Sequence, residues 1–300
     1  MTPFSYHDAT TVEEAIELLE REPDSHLIAG GTAIILLIKQ GLIRPTSLIG
    51  LRRIADLRGM VTMADGGLWI GAMTSHSEIA TSPLVRGHCQ ALADTFASVA
   101  TVRIRNQATI GGNLVHADPA QDPPPMLMSL GAEVVLRGPR GERRVALDAF
   151  FIDMLETALE PDEIVVAVRL PPISPATSTT YVKFLPNSKS DYATVSVAVA
   201  LEVDADQRCV DVRIALGGAG PTPLRARSVE AALSAQVLTP GLISDAAARV
   251  VDDIDPLDDV RGSAGYKREM ATVWVERAVL ALADGGSRSG ANGVDRSATA

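Results

Sequence analysis

The sequence predicts an α+β protein built from two compact units. Up to about residue 170, short apolar runs alternate with segments of helical periodicity. Beyond it three apolar runs follow one another and give way to helix-like segments that end near residue 284. Residues 171–180 separate these regions, are rich in Pro, Ser and Thr, and read as a linker. A length of 300 residues with 46% hydrophobic content suits two units. The expected division is 1–175, with subdomains of about 1–56 and 57–175, then 176–284. Residues 285–300 are rich in Gly, Ser and Ala without apolar periodicity, and are expected to be disordered. No repeat of solenoid period is visible.

Thr10 and Thr11 stand three residues before Glu13 and Glu14, so a capped helix is expected through Glu20, with Val12, Ile16 and Leu19 inward. Pro23 stops it. Residues 26–29 read as a short strand, Gly30-Gly31-Thr32 as a tight turn, and 33–40 as a helix closed by Gly41. Apolar segments at 47–51 and 68–73 continue the pattern, and 84–101 is the longest helical candidate of this region. A second glycine turn, Gly111-Gly112-Asn113, follows 102–110, and Asp122-Pro123-Pro124-Pro125 leads into 126–130. Strands at 133–136 and 164–170 bracket a helix or loop at 150–155. After the linker, 181–185, 193–203 and 209–217 read as three strands and the remainder as helices.

Composition narrows the function. Only 4% of residues are aromatic and the formal charge is −10, which disfavours a stacking platform for nucleic acid and binding to anionic lipid. The apolar run 33–38 is too short to span a bilayer, and the amino terminus lacks an export pattern, so a cytoplasmic location without stable membrane insertion is expected. Cys89 and Cys209 form no CxxC pair, and His7, His26, His76, His88 and His116 show no HxxxH spacing. No metal site is expected within this chain, and an iron–sulfur cluster usually takes four thiolates.

The glycine turns carry the chemistry. A diphosphate needs several N–H donors converging on a small volume, and glycines let the backbone approach where a Cβ would intrude. Gly30, Gly31 and Thr32 meet that demand, although an isolated example reads as an ordinary tight turn. Thr109-Ile110-Gly111-Gly112-Asn113 has the same donor chemistry, and two such loops could grip a diphosphate from opposite sides. Neither reads GxGxxG, and the position about 20 residues on, where a nicotinamide site wants an acid, is Gly50.

Further motifs stand in order along the chain: Ala29-Gly30-Gly31-Thr32; Leu68-Trp69-Ile70-Gly71-Ala72-Met73-Thr74; Ile104-Arg105-Asn106; His116-Ala117-Asp118-Pro119 with Asp122; Lys183 before Asp191-Tyr192-Ala193; and Gly217-Gly218-Ala219-Gly220-Pro221-Thr222-Pro223-Leu224-Arg225. With these the sequence resembles the FAD-binding medium subunits of molybdenum hydroxylases, the family of the carbon monoxide dehydrogenase medium subunit and the xanthine dehydrogenase FAD domain. The resemblance covers nearly the whole chain except the tail. It implies a two-subdomain FAD-binding domain of the vanillyl-alcohol oxidase (PCMH) type, followed by a smaller α+β carbon monoxide dehydrogenase flavoprotein C-terminal domain. It implies noncovalent FAD, with Ala29, Gly30, Gly31, Thr32, Ala33 and Ile34 on the diphosphate and ribityl chain, and Val99 and Ala100 on the flavin side. Thr109, Gly111, Gly112 and Asn113 would complete the clamp, Asp118 and Asp122 approach the ribose or adenosine, and Ile164 and Val165 flank the adenine. Lys183 matches a lysine near the isoalloxazine, and Tyr192 is positioned to pack on the ring. Many relatives carry a polar or acidic residue at the position of Ala33, and arginines where this chain has Asn187, Ser188 and Lys189.

Each residue also has a plainer reading. His116 fits a surface residue after a glycine turn, Asp118 an N-cap before Pro119, Tyr192 a buried tyrosine at a strand start, and Lys183 a side chain reaching out from a strand edge. Met126, Met128, Phe150 and Phe151 read as core. The resemblance implies an electron-relaying oxidoreductase subunit with no catalytic residue of its own. It would accept electrons from a small [2Fe-2S] subunit and pass them to an external acceptor, while a large subunit holds the molybdenum cofactor, in an assembly of (αβγ)2 type. A stand-alone flavin oxidoreductase and an FAD-free assembly or binding protein are the rival readings.

Overall fold

The computed structural model describes residues 4–22, 24–185, 188 and 190–284. The expected tail, the stop at Pro23, and Asn187 and Lys189 therefore lie outside the described residues. Strand β1 (Ser5–Asp8), helix α1 (Val12–Arg21), strand β2 (Ser25–Ile28), helix α2 (Ile34–Gln40) and strand β3 (Ser47–Gly50) form the first layer. Its three strands are parallel in the order β1-β3-β2, so β2 lies at an edge with the turn that follows it. The Thr11 hydroxyl accepts from Glu14 N at 3.1 Å and the Glu14 carboxylate accepts from Thr10 N at 2.8 Å, which starts α1 where the threonines predict. Leu18, rather than Leu19, is the buried leucine of α1, because Val12, Ala15, Ile16 and Leu18 form the face against the sheet. Gly41 ends α2 in the left-handed region at φ 74°.

The next layer is a five-stranded antiparallel sheet in the order β4-β5-β10-β6-β7. It comprises β4 (Met60–Thr62), β5 (Leu68–Gly71), then after a helical insertion β6 (Glu133–Gly138) and β7 (Gly141–Ala146), and, beyond the hairpin of β8 (Phe151–Asp153) and β9 (Glu156–Thr157), the central β10 (Ile164–Leu170). The insertion contains α3 (His76–Thr81), α4 (Pro83–His88), α5 (Gln90–Ser98), α6 (Val102–Arg105), α7 (Ile110–His116) and α8 (Pro123–Ser129).

Three local expectations are corrected here. The helix expected over 84–101 is two helices separated by Cys89, whose extended φ of −157° ends one and begins the other. Residues 150–155 are mainly the β8–β9 hairpin rather than helix or loop. The prolines at 123–125 open α8 itself, where the first turn needs no N–H. Phe96, Phe150, Phe151, Met126 and Met128 fill the core between this sheet and the helices.

The C-terminal layer is an antiparallel sheet, β11 (Thr177–Phe184), β12 (Val195–Val203), β13 (Cys209–Gly217) and β14 (Leu224–Arg225), in that order. Helices α9 (Arg227–Leu233), α10 (Pro240–Ala247) and α11 (Ala264–Ala283) follow, and α11 packs across β12. Thr177–Thr180, within the segment read as a linker, are already strand, and short β14 precedes the helices. Along β12 the residues Val195, Val197, Val199 and Leu201 enter the helix-side core, while Ala198 and Ala200 join the core of the preceding sheet. A strand buried on both faces reads as one apolar run, and small residues on one face let the two layers approach.

α3 begins with a reciprocal capping box between Ser75 and Glu78, and its first residue, His76, is buried with its ring edge-on to Phe96 at 5.1 Å. Burial pushes the His76 imidazole down to about 4. The unfolded chain then holds a proton that the folded chain refuses, so stability is complete above pH 6.5 and falls as pH drops toward 4. His76→Leu should flatten this acid limb: in urea titrations at pH 7 and pH 4, the parent loses about 3 kcal/mol more than the variant. Equal losses in both proteins refute the assignment.

Candidate functional site

The two glycine loops meet. Residues 29–33 leave the edge strand β2 and enter α2, with Gly31 at φ 75°. A Cβ on Gly30 would overlap the Gln107 carbonyl oxygen, and a Cβ on Gly112 would sit 3.5 Å from that of Ala29. The second loop is fixed to the antiparallel sheet: Ile110 N donates to Thr74 O at 3.1 Å and Gly111 N to Ala72 O at 2.9 Å. A Cβ on Gly111 would come within 2.7 Å of that of Ala72, so only glycine permits this approach. Thr109 caps α7, its hydroxyl accepting from Gly112 N at 3.2 Å.

The first loop keeps its donors. α2 has no side-chain cap, and among the described residues the amides of Thr32, Ala33 and Ile34 find no acceptor. Asn113 Oδ1 is buried without a partner among the described residues. Unsatisfied donors at the first loop and an unpaired amide oxygen on the second call for a polar ligand. This polar cradle, too tight for any Cβ at Gly30, fits the diphosphate of a dinucleotide.

A second cluster lies at the end of α5. The Val99–Ala100 turn is tightly bent, with Ala100 at φ 41°. Arg105 Nη1 donates to Val99 O at 2.7 Å and to Ala100 O at 2.9 Å. The neighbouring Ser98 O accepts from Lys183 Nζ at 3.4 Å. Lys183 in turn pairs with Asp122 Oδ2 at 2.8 Å, and the Tyr181 hydroxyl donates to Asp122 Oδ1 at 2.7 Å. Burial pushes the Asp122 carboxyl up, against the pull of the Lys183 ammonium. The Tyr181 hydroxyl is driven well above its ordinary value by burial and by the Asp122 charge.

Asp122 and Lys183, assigned by resemblance to different ends of the cofactor, are thus in contact with each other. Asp118 accepts from Ala120 N at 2.9 Å, the turn-capping role of its plainer reading. His116 is held below its ordinary value by burial, with Asp118 opposing. Tyr192 is 40% exposed, with the Arg261 guanidinium 5.1 Å from its ring centroid, and burial with the Asp118 charge pushes its hydroxyl up to about 12. Ile164 and Val165 are buried at the start of β10, one in each of two cores, so their side chains point to opposite faces.

Sequence reasoning gave no site role to Arg105 or Tyr181. The signal for Tyr181 was its spacing of two from Lys183, which puts both on one face of β11. The Gly217-Gly218 element lies at the seam between domains, where Gly218 N donates to Pro119 O at 2.8 Å and a Cβ on Gly217 would sit 3.0 Å from Pro125.

Two glycine loops meeting across two subdomains, with an α+β domain closing one side, define a two-domain FAD-binding fold. Residues 2–173 match the FAD binding domain in molybdopterin dehydrogenase, and 180–282 the CO dehydrogenase flavoprotein C-terminal domain. The chain is 34% identical over 279 residues to the carbon monoxide dehydrogenase medium chain of Hydrogenophaga pseudoflava, covering 93% of this chain and 96% of that one. It is 31% identical to the 6-hydroxypseudooxynicotine dehydrogenase complex subunit alpha of Paenarthrobacter nicotinovorans, covering 91% and 92%. The solved carbon monoxide dehydrogenase from H. pseudoflava superimposes with a TM-score of 0.91 at 35% identity, over 96% of this chain and all of that chain (100%). The chain belongs to the family of FAD-binding medium subunits of molybdopterin dehydrogenases, and is an oxidoreductase subunit.

Gly30→Ala should push the first loop off Gln107, destabilising the protein by about 1–3 kcal/mol and abolishing FAD retention through gel filtration. Gly87→Ala, in a helix with nothing within 4 Å of the added Cβ, should keep both. Wild-type retention of FAD by the Gly30 variant would show that the loop contact is dispensable.

Proposed function

We propose that this chain is the electron-relaying medium subunit of a molybdenum hydroxylase, holding FAD between residues 29–34 and Thr109, Gly111, Gly112 and Asn113. The observation that carries the reading is the meeting of the two loops with the amides of Thr32, Ala33 and Ile34 in the first left without acceptors among the described residues. The backbone amides of Thr32, Ala33 and Ile34 bind the diphosphate, and Asn113 adds its side-chain amide. Val99 and Ala100 line the flavin side, with Lys183 and Tyr192 nearby; Ile164 and Val165 flank the adenine; Asp118 and Asp122 lie along the site walls. The domain boundary falls near residue 175, after β10 and before β11.

Bound isoalloxazine supplies the ability to take electrons singly and release them in pairs. The protein's own residues hold and orient it and exclude water from one side. A small subunit carrying [2Fe-2S] clusters delivers the electrons, and a large subunit with the molybdenum cofactor oxidises the organic substrate, in a cytoplasmic complex of (αβγ)2 type. Relatives named for carbon monoxide and for 6-hydroxypseudooxynicotine each match this chain over more than nine-tenths of its length, which supports placing substrate choice on the large subunit.

The test is a visible absorption spectrum of the chain purified with and without added FAD, followed by acid release of the chromophore. The expected result is a yellow protein that releases FAD and turns over no hydroxylation substrate by itself. A preparation that stays colourless with added FAD overturns the cofactor and function together, and substrate turnover by the isolated chain overturns the relay role.

A further inference from the structure

The buried polar cluster joining the two domains has no role in gripping a diphosphate, and stability alone does not account for it. Asp122 is 4% and the Lys183 side chain 9% exposed. A buried ion pair of this kind is often no more stabilising than apolar residues of the same volume, so its presence points to positioning or specificity. Its geometry is directional. The Asp122 carboxylate stands at the start of α8, and the Lys183 ammonium reaches past it to the Ser98 carbonyl. Tyr181, on the same face of β11, fills the other carboxylate oxygen and fixes its orientation.

Three successive carbonyls, of Ser98, Val99 and Ala100, therefore end on two cations, Lys183 from the second domain and Arg105 from the first. With the carbonyls drawn to one side and Ala100 in the left-handed region, the amides of Ala100 and Thr101 donate to no acceptor among the described residues.

We propose that Asp122, Lys183 and Tyr181 form a positioning device through which the C-terminal domain sets the electrostatics of the flavin-side turn and so tunes the reduction potential of the bound flavin. This rests on the FAD reading above. The pair is formally neutral but presents its positive end to the turn. A positive charge nearby favours the electron-rich reduced form, and in a partly buried site its effect is weakly screened. Removing the ammonium should make reduction harder, and removing the carboxylate charge should make it easier. Loss of packing alone has no reason to produce opposite signs.

The experiment uses the full chain loaded with FAD, its potential read by equilibration against reference dyes at pH 7.5, with FAD affinity measured in parallel. Lys183→Met is expected to lower the reduction equilibrium constant about tenfold, roughly 30 mV for a two-electron couple. Asp122→Asn is expected to raise it, and Lys183→Arg to restore most of the parent value. Tyr181→Phe keeps both charges and should shift the constant less than either charge variant does. If Lys183→Met does not fold, Asp122→Asn against Tyr181→Phe still decides the matter. Shifts of the same sign in the two charge variants, or none while FAD stays bound, overturn this inference alone. A parent chain that binds no FAD overturns the functional reading as well.

Discussion

The close approach of residues 29–31 to residues 107–112 is the constraint on which the rest depends. One loop leaves an edge strand of a parallel sheet, and the other is pinned to a different, antiparallel sheet through Ala72 and Thr74. Glycine at 30 is what lets two rigid layers come this near, because a Cβ there would overlap the Gln107 carbonyl oxygen, while Gly111 lets the second loop lie against Ala72 of its own sheet. Once they meet, the amides entering α2 are held in place without an internal partner. Preorganised donors of this sort need no rearrangement when an anion arrives, which is the economy of backbone recognition.

The second domain is more than an appendage to this arrangement. The small residues of β12 bring its sheet against the first core, Gly217 and Gly218 bring the end of β13 against Pro119 and Pro125, and β11 delivers Tyr181 and Lys183 to Asp122. The contacts lie along one seam and differ in kind: apolar packing, a backbone hydrogen bond and a buried ion pair. The ion pair is the one of the three that fixes register, because it is satisfied only when both side chains arrive together. The seam ends at Ser98, beside the Val99–Ala100 turn, so the relative placement of the domains is felt at the candidate flavin face.

What was legible in the sequence follows the range of the interaction. The glycine loops could be read because donor convergence demands that residue type wherever it occurs, and α1 because its caps lie within four residues of its start. The break at Cys89 could not, since helical periodicity runs straight through it and the buried thiol meets Thr179 Oγ1, at 3.5 Å, only once the second domain has docked. The hairpin at 150–157 is likewise anchored from outside, through Leu155 N to Ala117 O at 3.1 Å. Prolines at 123–125 read as lying ahead of the 126–130 segment because proline breaks helix interiors, yet the same residues are tolerated at a helix start and open α8. Asp122 and Lys183 are 61 residues apart, and no local pattern states that they pair.

Charge explains why recognition falls to the backbone. The chain carries a formal charge of −10, and neither residues 29–34 nor 109–113 include Lys or Arg. A dianionic diphosphate entering there meets a repulsive long-range field, screened over about 8 Å at physiological salt. At contact distance the field that matters is that of the nearest dipoles, and amides without competing acceptors supply attraction that side-chain cations would supply only with desolvation and conformational entropy against them. The basic side chains are spent elsewhere: Arg105 and Lys183 are bound to the carbonyls of the neighbouring turn and to Asp122. In the proposed reading, binding and tuning fall to different chemistry, main-chain donors for the anion and buried charges for the ring environment.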